Sequence, residues 1–221
     1  MLRRGRTVTF IFLLATLVTT VRGREQQDSN RTAADRLTKE AATLRQAGDG
    51  ESLRKAVDKL RESIPLWQAA GDRAREADGL FQISAIYRLL GDNRYAVDSL
   101  EQALPLRRAL GDNPGVVDTL GLIGSIAYTS GDVEKAVGVY EEALSVARNV
   151  KYTQGEGRTL TRLGLLFTAI GEYQKALDAQ TQALTVSRSA DDRLGEAGTF
   201  CCRAGQFASA SSRARRNSAA D

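Results

Sequence analysis

Leu80, Ile83 and Tyr87 stand three and seven positions apart, and the same spacing returns at Leu120, Ile123 and Ala127 and again at Leu160, Leu163 and Phe167. Apolar residues at i, i+3 and i+7 line one face of an α-helix. Each triplet therefore predicts an amphipathic helix with a buried stripe, and its aromatic members read as core. No stretch shows the strict alternation of a half-buried strand: Val, Ile and Thr are scattered, while the good helix formers Ala, Leu, Arg, Glu and Gln dominate. The pattern predicts an all-α protein.

The stripes are cut at regular places. Gly71-Asp72, Gly91-Asp92, Gly111-Asp112 and Gly131-Asp132 follow one another at steps of 20, and the series resumes at Gly171-Glu172 after one mark replaced by Asn149 to Lys151. Gly accepts the left-handed backbone that ends a helix, and Asp caps the free N–H groups of the next one. At Asn113-Pro114 the proline falls in a first turn, where its missing N–H costs nothing. The segments beginning at Leu80, Leu120 and Leu160 align without a gap, so the chain repeats every 40 residues, two helices at a time. Helices joined by turns this short must run antiparallel. Small residues keep the same register: Ser84, Gly124 and Gly164 are expected opposite Ala96, Ala136 and Ala176, where they let two axes approach, and Ala103, Ala143 and Ala183 make room for the next pair.

Composition changes this picture in three places. Residues 1–23 carry Arg3, Arg4, Arg6 and Arg22 and no acid, around an uncharged run from Thr7 to Val21. That is the layout of a secretory signal, and its apolar part falls short of the roughly 20 residues of a spanning helix. Export to the periplasm or the medium is expected, with membrane anchoring by an uncleaved segment as the alternative. The formal charge of +4 comes from this segment alone, since the rest of the chain balances 27 basic against 27 acidic groups. No nucleic-acid footprint remains. Histidine is absent, which removes the commonest general base and metal ligand. The adjacent Cys201 and Cys202 suit neither an unstrained mutual disulfide nor a four-ligand metal site. No cofactor and no metal is expected. Pairs such as Glu141-Glu142 point to different helix faces, which argues against a carboxylate hydrolase.

The sequence of a large apolar residue, L-G, an aromatic, G-D, Ala, an aromatic or Leu, and A-L resembles the tetratricopeptide repeat, a helix-turn-helix unit with a period of about 34 residues. Its longer form here, with second helices ending in phrases such as EQALPLRRALGDNPG, is similar to the repeats of kinesin light chains and of bacterial proteins whose arrays precede a caspase-like CHAT protease domain. The resemblance implies a right-handed superhelical solenoid of antiparallel helix pairs with an inner wall made by the first helix of each pair. On that wall it places Asp78, Phe81, Ala85, Arg88 and Leu89, then Asp118, Gly121, Ser125, Tyr128 and Thr129, then Arg158, Thr161, Leu165, Thr168 and Ala169. Phe81-Gln82, Gly121-Leu122 and Thr161-Arg162 stand where kinesin-type repeats usually carry asparagines, so backbone clamping of an extended peptide is not implied. Phe81, Leu89, Tyr128 and Leu165 are the expected apolar anchors of a groove, and Arg88, Arg158 and Arg162 its carboxylate hooks.

The resulting expectation is a non-catalytic interaction scaffold that holds a partner protein or peptide, with an acidic or C-terminal segment along the wall. The domains expected are a signal or anchor at 1–23, a linker at 24–32, an atypical first helix pair at 33–71 with an irregular corner at Gly48 to Gly50, the repeat array at 72–199 and an irregular basic tail at 200–221. After LGEAGTF the repeat register fails at Arg203, leaving half a repeat. Self-association through that end is one expectation. The alternative function is the N-terminal arm of a larger CHAT-type protease or signalling protein, although no phosphate loop G-x-x-x-x-G-K-[ST] and no His occur in this sequence.

Overall fold

The structure is a computed structural model that describes residues 3–189, with side chains from Gly23 onward. Within it the chain forms eight helices: α1 Arg3–Ala47, α2 Gly50–Ala69, α3 Arg73–Leu90, α4 Asn93–Leu110, α5 Asn113–Thr129, α6 Val133–Asn149, α7 Thr153–Ala169 and α8 Tyr173–Ser189. No strand occurs among the described residues. The all-α expectation holds, helix by helix. The chain divides into two compact units, Met1–Leu106 and Arg107–Asp221. The side chains of the expected leader, and the whole of the basic tail with Cys201, Cys202 and Arg203, lie outside the described residues.

The corners form for the reason the sequence suggests. Gly71, Gly91, Gly111, Gly131 and Gly171 all have φ between 69° and 85°. The carboxylates of Asp72, Asp112 and Asp132 accept hydrogen bonds from the N–H groups of Arg75, Gly115 and Lys135 at 3.2, 3.0 and 3.0 Å. The irregular corner at Gly48 to Gly50 obeys the same chemistry, with Asp49 accepting from Ser52 N–H at 2.9 Å. Hydrogen bonds from the side chain and backbone of Ser52 hold the Asp49 carboxyl below its ordinary value. At the missing mark the turn is kept without glycine. Lys151 takes φ 56°, and its N–H and that of Tyr152 still close onto the carbonyls of Arg148 and Ala147 at 3.1 and 2.8 Å. Residues 24–32, where a linker was expected, continue α1. The stretch holds no Gly or Pro to stop a helix, and its Glu and Gln are good helix formers.

In the first unit α2 buries Leu53, Ala56, Val57, Leu60 and Trp67, and α3 buries Leu80, Ile83 and Tyr87. Tyr87 packs on Tyr95 of α4 with ring centroids 5.3 Å apart and lies under the guanidinium of Arg61 at 5.6 Å. The second unit centres on Ala127, Ala136, Tyr140, Leu163, Leu166 and Ala179, with Val133, Val137, Leu144 and Phe167 against them. All the alanines assigned to close contacts are buried: Ala96, Ala136, Ala176, Ala103, Ala143 and Ala183 are at most 1% exposed.

The pairing of small residues differs from the expectation in one respect. Gly124 makes room chiefly for Tyr140, one turn beyond Ala136: a methyl group at Gly124 would lie 2.6 Å from that ring. Gly164 likewise admits the stem of Gln180, with the Ala176 carbonyl farther off at 3.5 Å. The long side chain is inserted into the gap that the missing side chain leaves, which fills space that a bare Gly–Ala contact would leave thinly packed.

Candidate binding face

Each predicted wall residue has a definite place. On α3 in the first unit, Asp78, Arg88 and Leu89 are exposed and Phe81 is half-buried; Leu89 is 63% exposed, an uncommon setting for a leucine beside a well-packed stripe. In the second unit Tyr128 and Leu165 are partly exposed, at 36% and 44%, while Arg158, Thr161 and Arg162 are half-buried. Two pairs of the second unit's expected wall residues meet between α5 and α7: Asp118 with Arg158, and Gly121 with Arg162.

Arg158 and Asp118 occupy the same register 40 residues apart, and the guanidinium meets the carboxylate at 2.6 Å. Arg158 also donates to the Tyr152 hydroxyl at 2.7 Å, and its guanidinium carbon lies 5.7 Å from that ring's centroid. The expected carboxylate hook at Arg158 is thus engaged by an acid of the neighbouring helix, and its positive charge is matched locally. Tyr152 stands where Asp112 and Asp72 cap their helices, and its side chain makes no capping bond. Its ring instead covers Gly155, where a methyl group would come within about 2.5 Å of it.

One turn along, the Arg162 guanidinium rests over Gly121, so closely that a methyl group there would sit 2.5 Å from Nη1. Thr161 beside it turns its hydroxyl back to the Gly157 carbonyl at 2.9 Å. Ser125 stands four residues beyond Gly121, and Tyr140 of α6 is 3% exposed. Burial pushes the Tyr140 phenol above its ordinary 10.0, against the downward pull of Arg162 and Ser125, with Tyr128 adding to the rise. Arg162 and Tyr128 thus act electrostatically on the buried Tyr140. Reading the sequence found Arg162 and Tyr128 but assigned Tyr140 no part in the site. The signal available was the pairing of Gly124 with an aromatic 16 residues later, a combination absent from the sister repeats, which have Ser84 with Leu100 and Gly164 with Gln180.

A second set of residues went unnoticed because it serves the joints between pairs. Trp67, Arg107, Ala147 and Ser187 share the 40-residue register and are all buried. Arg107 donates from Nη1 to the Gly115 carbonyl and the Thr119 hydroxyl at 2.8 and 2.9 Å. Arg108 pairs with Glu142, and its counterpart Arg148 spans Glu156 and Gln182, each at 2.8 Å. Among the described residues no group of His, Cys, Asp and Glu is arranged to hold a metal, and no helix is long and apolar enough to cross a membrane.

Comparison with known proteins gives the fold a family. The tetratricopeptide-repeat family model matches residues 111–189. No curated protein matches the sequence. Aspartyl phosphate phosphatase F from Bacillus subtilis is similar in structure at 13% identity and a TM-score of 0.73, over 83% of this chain and 48% of that one. The Rap conjugation gene regulator of the plasmid pLS20, solved with the Phr* peptide, is similar at 15% identity and a TM-score of 0.61, over 76% of this chain and 46% of that one. This chain spans about half the length of these two proteins. The putative kinesin light chain repeats of Podosopora anserina match at 14% identity and a TM-score of 0.63, over 84% and 92%. At such identities the likeness is one of fold. Residues 111–189 match the tetratricopeptide-repeat family model, and the described chain has the all-α helix-pair fold seen in the kinesin light chain-like repeats.

Proposed function

We propose that the protein is a non-catalytic scaffold whose α5–α7 face holds an acidic segment of a partner polypeptide. The observation that carries this reading is the seating of the Arg162 guanidinium of α7 over Gly121 of α5, two helices that also carry the partly exposed Tyr128 and Leu165. Aromatic and arginine side chains carry most interface energy. Arg158 and Arg162 both bring a guanidinium to this face, and a carboxylate is a natural complement of that group. The fold supports a peptide ligand as well, because structures of this shape include one solved with a peptide. Export, directed by residues 1–23, is part of the same proposal and rests on their sequence alone.

Affinity capture with the full chain tests it. A Tyr128→Ala, Arg162→Gln double variant is expected to lose the polypeptides that the unaltered protein retains, at unchanged helical content. Retention of the same polypeptides by both proteins would remove this face from the function.

A further inference from the structure

The two halves of α8 differ in a way that those of α6 do not. Near the start of α6, Val133 and Val137 pack against the core cluster, whereas Tyr173 and Leu177, in their register, are 52% and 40% exposed. Toward the other end the two helices agree: Ala183 and Ser187 are buried, as Ala143 and Ala147 are. Beside that half of α6 runs the beginning of α7, tied to it by Arg148 donating to Glu156 at 2.8 Å. No described helix follows α8 to play that part.

We infer that residues 193–202 play it: this segment docks along the C-terminal half of α8 as the opening turns of a further first helix, fastened by an ion pair between Arg188 and Glu196. The register of 40 carries the assignment. Three residues, 150–152, join α6 to α7, and three, 190–192, separate the end of α8 from the segment. Asp192 stands where Asp72 and Asp112 cap their helices. Gly115 and Gly155 are each covered by the side chain three places earlier, Asp112 or Tyr152, and Gly195 stands three places after Asp192. Thr119 and Thr159 are fully buried and return their hydroxyls to the Gly115 and Gly155 carbonyls, both at 2.8 Å; Thr199 repeats that spacing from Gly195. Phe200 falls in the place of the buried Leu120 and Leu160.

Charge complementarity selects the ion pair. Gln68 donates to Glu76 at 2.6 Å across one joint, and Arg148 to Glu156 across another, each pair eight residues apart. Arg188 and Glu196 repeat that pair in type, spacing and register. The segment ends at 202 because Arg203 takes the place of Leu163, a core residue 4% exposed, and a charge is not buried there without a partner. Cover therefore stops short of the first half of α8, which is where Tyr173 and Leu177 are exposed. A three-residue tether gives this segment a far higher effective concentration at α8 than a second copy of the chain reaches.

The chain's only two cysteines, Cys201 and Cys202, lie in the segment and serve as its probe; their counterparts Thr161 and Arg162 are half-buried. The test measures thiol labelling of the full chain by a maleimide dye, each rate divided by the same protein's rate in urea. In the unaltered protein labelling is expected to be at least about tenfold slower than in urea, because a docked segment must open before it reacts. Glu196→Arg and Phe200→Ser are each expected to raise the folded protein's rate about threefold or more at unchanged helical content, and Glu196→Arg with Arg188→Glu to label more slowly than Glu196→Arg alone. Thiols that react equally fast with and without urea would overturn the docking, and a double variant as fast as the single one would overturn the ion pair. Protection that grows with protein concentration together with a dimer's mass in light scattering would make a second copy the occupant and end the proposal.

Discussion

The α5–α6 and α7–α8 pairs have the same length, the same corner glycine and the same glycine in the first helix, yet they fill the resulting gap differently. Gly124 admits the rigid aromatic ring of Tyr140. Gly164 admits Gln180, a flexible amide that is 1% exposed and whose Nε2 and Oε1 have no hydrogen-bond partner among the described residues. The backbone pattern of the repeat therefore fixes where a gap opens and leaves its content free. One pair uses that freedom to bury an aromatic ring. The other buries an amide without a partner among the described residues, a setting that costs about 1 to 3 kcal/mol where no other group meets it.

The largest separation between the two pairs is expected from adding one methyl group. Gly124→Ala should lower stability by about 2 kcal/mol, because a ring packed on all sides cannot turn aside and overpacking is destabilising. Gly164→Ala should be close to neutral: the Gln180 stem can rotate, and the gain in helix propensity of about 1 kcal/mol offsets what strain remains. Denaturant titration of the two variants reads the difference directly, and equal losses would mean that the two gaps are filled alike.

Gln180→Leu sharpens the contrast from the other side. Giving the last pair the residue found at Leu100 removes two buried polar atoms, and stability should rise by about 1 to 2 kcal/mol. A lower melting temperature would show that the amide is bonded in solution.

The joints differ too. Gly131 turns the chain within the α5–α6 pair, whereas Lys151 takes the left-handed conformation at φ 56° between α6 and α7. A side chain in that region costs about 1 kcal/mol or somewhat more, so Lys151→Gly should stabilise the second unit by about 1 kcal/mol. An unchanged melting curve would place the strain elsewhere.

The smallest effect concerns pH. Tyr140 holds its proton more tightly folded than unfolded, chiefly because burial disfavours the phenolate. The contribution it makes is whole below the ordinary value of 10.0 and is lost as pH rises through the higher folded value. Melting temperatures of the unaltered protein should therefore fall faster above pH 10 than those of Tyr140→Phe. Parallel curves for the two would assign the alkaline loss to the other tyrosines.

The sequence by itself determined the helices, their corners and their period. These depend on local causes: a glycine that can adopt positive φ, an aspartate that caps the helix after it, and apolar residues returning every three or four positions. Such signals hold wherever the segment sits, and they marked Gly91, Asp132 and the stripe of Leu120 and Ile123 without any knowledge of neighbours. The resemblance to tetratricopeptide repeats, not these local signals, proposed Arg158, Arg162, Tyr128 and Leu165 as wall residues. What only the tertiary structure decided is which of these groups are already engaged and which side chains arrive from another helix. That Asp118 occupies Arg158, that Gly121 seats Arg162, and that the Tyr140 ring lies against Gly124 are contacts between residues up to 41 positions apart. Their existence turns on ångström-scale distances between helix axes, and a pattern of residue types along one chain does not carry that quantity.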